Sequence, residues 1–201
     1  MPVRKVKIMC GRYQFTADQC AEILQIVQEV ERRCGLNAWS PGEIRPTAMA
    51  PVLVASSAGI QPELYAWGYK LPKSLVINAR AESAMEKPLF RDSVRSKRCV
   101  IPSTGFFEWS QEKRKYFFKL PGEDALYMAG LYTIQDGQPR YCILTTEAKD
   151  SMREVHHRMP LVLRKDQIVP WLEQPEVTSE FLKMAPPQLE RSTADAQLRL
   201  W

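Results

Sequence analysis

The chain has 201 residues, 45% hydrophobic and 25% charged, which is the balance of a soluble globular protein large enough to bury its own core. That composition excludes a disordered chain, a collagen and a coiled coil, and 15 prolines disfavour long uninterrupted helices. Lys and Arg outnumber Asp and Glu by 28 to 23, a formal charge of +5, and the excess lies before Arg164.

The first residues, 1–9, are basic but lack the apolar run of a secretory signal. Met9-Cys10-Gly11-Arg12-Tyr13 follows. A Cys directly after a Met is compatible with Met removal if translation starts at Met9. The new terminus would then be a 1,2-aminothiol, with an amine pKa of roughly 7.7–8.0 and a thiol pKa of about 8.5. Such a group condenses with an aldehyde to a Schiff base and closes to a thiazolidine, which an internal Cys cannot do.

Thr16 to Gly35 reads as one helix. Thr16 and Gln19 have capping-box spacing, Cys20, Ile23, Val27 and Val30 fall on one face, and Gly35 supplies a stop. The uncharged stretch Pro46–Pro62 carries Pro, Ser, Gly and Gln and falls short of the ~20 apolar residues of a spanning helix. Short strands are expected at Pro51–Ala55, Leu64–Gly68, Leu75–Ile77, Cys99–Pro102, Tyr116–Leu120, Ala125–Ile134 and Arg140–Thr145. Pro121-Gly122 and Asp136-Gly137 sit where hairpin turns would. A short helix at Glu147–Val155, a strand at Pro160–Leu163, helices at Asp166–Glu173 (with Pro170 as a break point) and Val177–Met184, and a loose tail after Pro186 complete the predicted elements. The pattern describes a single α+β domain with a curved, mainly antiparallel sheet and peripheral helices. Spacing leaves open whether the sheet closes. The expected boundaries are an extension at 1–9, removed or not translated, a domain at 10–186 and a tail at 187–201.

Five cysteines, Cys10, Cys20, Cys34, Cys99 and Cys142, contain no C-x-x-C pair, which points to reduced thiols in a cytoplasmic protein rather than disulfides or zinc. No cofactor or metal motif is present. Two basic runs stand out: Lys87, Arg91, Arg95, Lys97 and Arg98, and Lys113, Arg114, Lys115 and Lys119. Such runs are either solvated faces or, with the nearby rings Phe90, Phe106, Phe107, Trp109 and Tyr116, a groove for a single strand. Phe117 and Phe118 read as core.

The two histidines, His156 and His157, are adjacent; such a pair is more often structural or exposed than catalytic, though histidine is the natural proton donor and acceptor near neutral pH and the chain has no others. Glu108, in Gly105-Phe106-Phe107-Glu108-Trp109, is either an edge-strand carboxylate facing water or a buried acid with a raised pKa. In Asn78-Ala79-Arg80-Ala81-Glu82, Arg80 could clamp a phosphate and Asn78 could orient a reacting group or cap a turn.

Taken together, these motifs, with Trp67-Gly68, Arg98-Cys99-Val100-Ile101-Pro102, Ala129-Gly130-Leu131 and His156-His157-Arg158-Met159-Pro160, resemble the SRAP family, the SOS-response-associated peptidase domain. The resemblance implies a curved, barrel-like β-rich core. It implies a DNA damage (SOS) response protein that senses abasic sites in single-stranded DNA and shields them as a covalent thiazolidine cross-link. Carried over, Cys10 is the nucleophile through amine and thiol, and Glu108 the acid/base. His156 protonates the sugar-ring oxygen, Asn78 orients the amine and Arg80 binds a flanking phosphate. Arg12, Trp109 and Arg158 are further DNA contacts. The implied protein is a cytoplasmic monomer, associated with the bacterial nucleoid, with no membrane partner, cofactor or metal.

Two other functions fit the same residues. One is a thiol (auto)peptidase with Cys10 as nucleophile, His156 as base and Asn78 or Glu108 as orienter. The other is a pure single-strand binding module. Strand cleavage that survives in Cys10→Ala would indicate a Schiff-base lyase.

Overall fold

The computed structural model describes residues 10–193 except 17, 19 and 37, and the side chain of Ser151 is not described. The extension at 1–9, the capping residue Gln19 and the last part of the tail, 194–201, therefore lie outside the described residues.

In chain order the elements are β1 (Arg12–Phe15), α1 (Ala21–Cys34), β2 (Gly42–Ile44), β3 (Met49–Ser56), β4 (Gly59–Trp67), β5 (Tyr69–Leu71), β6 (Ser74–Val76), β7 (Asn78–Arg80), α2 (Ala81–Ala84) and α3 (Arg91–Ser96). Then come β8 (Arg98–Ser103), β9 (Gly105–Trp109), β10 (Lys115–Lys119), β11 (Leu126–Gln135), β12 (Gln138–Glu147), α4 (Asp150–Arg153), β13 (Arg158–Pro160), β14 (Val162–Leu163), α5 (Lys165–Glu173), a 3-10 turn (Pro175–Val177), α6 (Thr178–Lys183) and β15 (Glu190–Thr193).

The strands make two principal sheets. One has the order β15-β10-β9-β1-β2 and is antiparallel throughout. In the other, β12 pairs with both β4 and β11, so that β12, β4, β3, β8 and β11 close on themselves as a barrel. Closure removes the free edges that an open sheet would expose. The long strand β12 changes partners along its length. Its first half lies between β11 and β4, and its second half between β13 and β7. The fold is α+β, with a curved, mainly antiparallel barrel and short helices around it.

The hairpin between β11 and β12 turns at Asp136-Gly137, where both residues have positive φ (53° and 74°) and Gln135 pairs with Gln138. That is the two-residue turn expected of the Asp-Gly pair. Pro121-Gly122 is not a hairpin: β10 and β11 belong to different sheets, so this turn is the corner between them. Gly105 opens β9 at φ 152°, and a Cβ there would come within 2.3 Å of the Phe117 ring and 2.5 Å of the Phe118 carbonyl oxygen. Only a glycine lets β9 approach β10 this closely.

Other expectations shift. α1 begins at Ala21 rather than Thr16, because Cys20 is extended and the Thr16 hydroxyl accepts a bond from Gln14 instead of capping. Its stop at Gly35 (φ 90°) and its buried face of Cys20, Ile23, Val27 and Val30 are as expected. Glu147 belongs to β12, leaving only Asp150–Arg153 helical in that stretch. The segment read as one strand at Pro160–Leu163 splits around Leu161 because β13 follows β12 while β14 follows β11. α5 runs through Pro170 without a break. Residues 190–193, read as loose, form an edge strand on β10. Arg98, counted in a basic run, is buried and donates to the carbonyls of Trp171, Leu172, Val94 and Arg95. It is a staple rather than a surface cation.

Candidate active site

The register of the five-stranded sheet decides which side chains face the core. Directly opposed residues share a face, and so do residues two apart along one strand. Tyr13 pairs with Phe106 and Ile44, Phe118 with Phe106, and Glu108 with Tyr116. These residues form the inner face, where Tyr13, Ile44, Phe106, Glu108 and Phe118 are buried. Arg12 pairs with Phe107, Trp109 with Lys115 and Gln14 with Glu43, and these form the outer face. Glu108 is thus a core carboxylate on an interior strand, 2% exposed, and the alternative of an edge glutamate facing water is excluded.

Cys10 lies just before β1, fully buried, with φ 43°. That conformation is uncommon for a residue with a side chain. Its N–H donates to Glu108 Oε2 at 2.7 Å, while Glu108 Oε1 accepts from the Trp109 N–H at 3.1 Å. A charged acceptor makes such bonds short and strong. Burial, and then the Glu108 charge, push the Cys10 thiol well above the ordinary thiol range. The thiol is therefore protonated at neutral pH, and the carboxylate is addressed to the nitrogen.

A second group gathers around the far half of β12. Asn78 and Arg80 on β7 pair with Ile143 and Thr145, and Arg158 on β13 pairs with Glu147. Asn78 is half-buried and Arg80 exposed. His156 is buried, and its Nδ1 accepts the Arg158 N–H at 3.1 Å, so the neutral ring carries its proton on Nε2. The His157 ring stacks on it, with centroids 4.4 Å apart. The Arg158 guanidinium grips Glu82 with two bonds of 2.6 and 2.8 Å and also donates to the Thr145 carbonyl at 2.6 Å. That pairing, foremost, holds the Glu82 carboxyl below its usual range.

The two groups are tied through the interior. The Tyr13 and Tyr141 hydroxyls meet at 2.7 Å, joining β1 to β12. Trp67 stacks on Tyr141 and packs against Tyr13, and its Nε1–H donates to the carbonyl of Ile77, the residue before Asn78. The cysteine strand and the asparagine strand are thereby held in one frame.

Of the expected site residues, the structure joins Cys10 to Glu108, and sets Asn78 and Arg80 on β7 and His156 and Arg158 at β13, the two strands that flank the far half of β12. Arg12 and Trp109 lie on the outer face, opposite Glu108, with the Arg12 guanidinium 5.1 Å from the Trp109 ring centroid and 3.0 Å from Glu43. Tyr13, Tyr141 and Glu43 are invisible to sequence reasoning as partners. The residues they meet come from strands distant in the chain, and no local pattern marks them. Glu82 closes the Asn78–Glu82 motif, and only its spacing from Arg80 could have flagged it. Among the described residues no group of three or more His, Cys, Asp or Glu is placed to hold a metal, and no helix is long and apolar enough to cross a membrane.

Known proteins resemble this chain in sequence and in fold. Abasic site processing protein YoaM of Bacillus subtilis is 38% identical over 125 residues, 58% of this chain and 53% of that protein. The chain thus spans about half the length of the Bacillus relatives it matches. Abasic site processing protein YedK of Escherichia coli is 25% identical over 178 residues, 83% of this chain and 80% of that one. A protein of Bacteroides thetaiotaomicron has the same fold, with a TM-score of 0.73 at 21% identity over 92% of this chain and 91% of that one. The family model described as SOS response associated peptidase matches residues 9–197. The chain belongs to the SOS response associated peptidase (SRAP) family.

Proposed function

We propose that this protein captures abasic sites in single-stranded DNA as a covalent thiazolidine, using the amine and thiol of Cys10 once Cys10 is the first residue. The observation that carries the reading is the 2.7 Å contact between the Cys10 nitrogen and the buried Glu108 carboxylate. That carboxylate can take a proton from the attacking amine and return it to the departing hydroxyl. The amine adds to the ring-opened aldehyde carbon and water leaves, giving a Schiff base. The thiol then adds to the same carbon, and its proton passes to the nitrogen. The adduct weighs the sum of its parts less one water.

The second group supplies the rest of the reaction. His156 gives the proton on its Nε2 to the sugar-ring oxygen, which opens the ring to the aldehyde. Asn78 orients the amine, and the exposed Arg80 takes a flanking phosphate. Arg158 contributes as a partner of Glu82 that a phosphate can recruit. The names of the relatives, abasic site processing proteins, support the substrate class. A thiol peptidase would need a thiolate at neutral pH. Burial and the Glu108 charge push the Cys10 thiol the other way, so that reading is the weaker one.

The test compares protein starting at Met1 with protein starting at Cys10. Each is incubated with a single-stranded oligonucleotide bearing one abasic site, denatured and weighed intact. The expected product is a heat-stable adduct short by one water, from the Cys10 form only. No adduct from that form overturns the proposal.

A further inference from the structure

His156 and His157 are neighbours in the chain, yet their rings lie together. In an extended strand, adjacent side chains point to opposite faces. Here the chain bends at His157, just before β13, and the two rings stack with centroids 4.4 Å apart and 25° between their planes. Backbone bonds pin the bend. The His156 N–H donates to the Met152 carbonyl at 2.9 Å, and the His157 carbonyl accepts from the Ala148 N–H at 3.0 Å. His156 is buried and His157 is exposed, so the stack lays a wet ring against a buried one.

Two constraints thus act on the His156 ring, and they differ in kind. The Arg158 N–H at Nδ1 sets which nitrogen carries the proton. That N–H is itself fixed, because Arg158 pairs with Glu147 in the sheet and its guanidinium holds Glu82. One bond at one ring atom leaves the ring plane loosely set, since the last side-chain torsion of histidine is broad rather than confined to narrow wells. A second ring laid against the first sets the plane. The Nε2–H bond lies in that plane, so its direction is set as well.

We propose that His157 is a positioning residue for His156: its ring, stacked on the buried imidazole, holds the plane in which the Nε2–H bond is aimed at the sugar-ring oxygen of the abasic site. His157 touches no reacting atom and acts only through His156. What it supplies is a flat surface rather than a charge, so another flat ring can replace it. The role of His156 in ring opening rests on the DNA-capture reading, whereas the hold of one ring on the other does not.

The test measures the first-order rate of adduct formation at saturating DNA, in the form starting at Cys10, for wild type, His157→Ala and His157→Phe. Two single-stranded oligonucleotides are compared. One carries an abasic site, whose sugar ring must open. The other carries an acyclic aldehyde with no hydroxyl placed to close a ring. Loss of one ring–ring contact corresponds to about 2- to 10-fold in rate. His157→Ala is expected to slow capture of the abasic site by that factor and to leave capture of the acyclic aldehyde unchanged. His157→Phe is expected to restore the wild-type rate. In a His156→Ala background, His157→Ala is expected to have no further effect. Equal loss on both substrates would make His157 a structural prop or a strand contact, and failure of Phe to rescue would make its contribution polar. Either result overturns the proposal, as does an Ala variant as fast as wild type.

A second readout needs no DNA. The chain has two histidines, so each ring can be followed by isotope-edited NMR. Wild type and His157→Phe should keep the His156 Nε2 proton in slow exchange with water, and His157→Ala should speed that exchange several-fold. Unchanged exchange overturns the proposal. The exchange difference without any adduct from wild type refutes capture alone. An adduct from wild type with no effect of His157→Ala refutes the positioning role alone.

Discussion

Replacing Glu108 by Gln tests the centre of the site with little change of shape. The wild-type carboxylate lies 2.7 Å from the Cys10 nitrogen and is 2% exposed, so water cannot stand in for it. A hydrogen bond to a charged group contributes about 1.5–3 kcal/mol. At 1.36 kcal/mol per tenfold, that is roughly 10- to 150-fold in rate if the contact strengthens in the transition state. Loss of a general acid/base contributes roughly 10²–10⁴-fold where proton transfer limits. The expected result for the form starting at Cys10 is therefore a fall of about 100-fold or more in the first-order rate of adduct formation at saturating DNA, in line with that range. The assay follows a single-stranded abasic oligonucleotide into the cross-linked band on a denaturing gel. The substitution has an opposing effect, because the Glu108 charge raises the Cys10 thiol and removing it makes the thiolate easier to form. A variant as fast as wild type, or faster, would show that thiol ionisation rather than amine proton transfer governs capture. The role given to Glu108 would then be wrong.

Two further outcomes follow from the interior. Tyr141→Phe leaves the Tyr13 hydroxyl buried without its present partner, which costs about 1–3 kcal/mol, whereas removing both hydroxyls avoids that penalty. The double variant Tyr13→Phe/Tyr141→Phe should therefore melt closer to wild type than Tyr141→Phe does, and a double variant that loses the sum of the two singles would refute the pairing. In the chain starting at Met1, iodoacetamide at pH 7 should label the exposed Cys34 well before Cys10. Labelling of Cys10 should rise only at pH values above the ordinary thiol range, and Glu108→Gln should bring that rise to lower pH. Peptide mass mapping reads both sites, and Cys10 labelled as fast as Cys34 at pH 7 would contradict its burial.

Pieces of the fold whose cause is local are legible in the amino-acid sequence. The Asp136-Gly137 turn follows from two residues that accept positive φ, the stop of α1 from Gly35, and the buried face of that helix from its apolar spacing. The strands from β3 to β12 that carry long apolar runs are legible for the same reason. Short strands are not. β1, β2, β7 and β9 have three to five residues each, and β9 is buried on nearly every position, so no alternation betrays it. The motifs also point to Cys10, Asn78, Glu108 and His156 as chemistry-bearing residues.

What each of those residues faces is set by how the strands assemble. Glu108 could have been a wet edge residue until the order β10-β9-β1 placed it inside, against a nitrogen 98 positions away in the chain. The same register sent Trp109 and Arg12 to the opposite face, toward Glu43 and Lys115. Arg98 and Lys115 look alike in a basic run, yet one is locked to buried carbonyls and the other stands on a half-exposed ring. Burial, pKa and partnership arise from contacts between strands distant in the chain, and local spacing carries no record of those contacts.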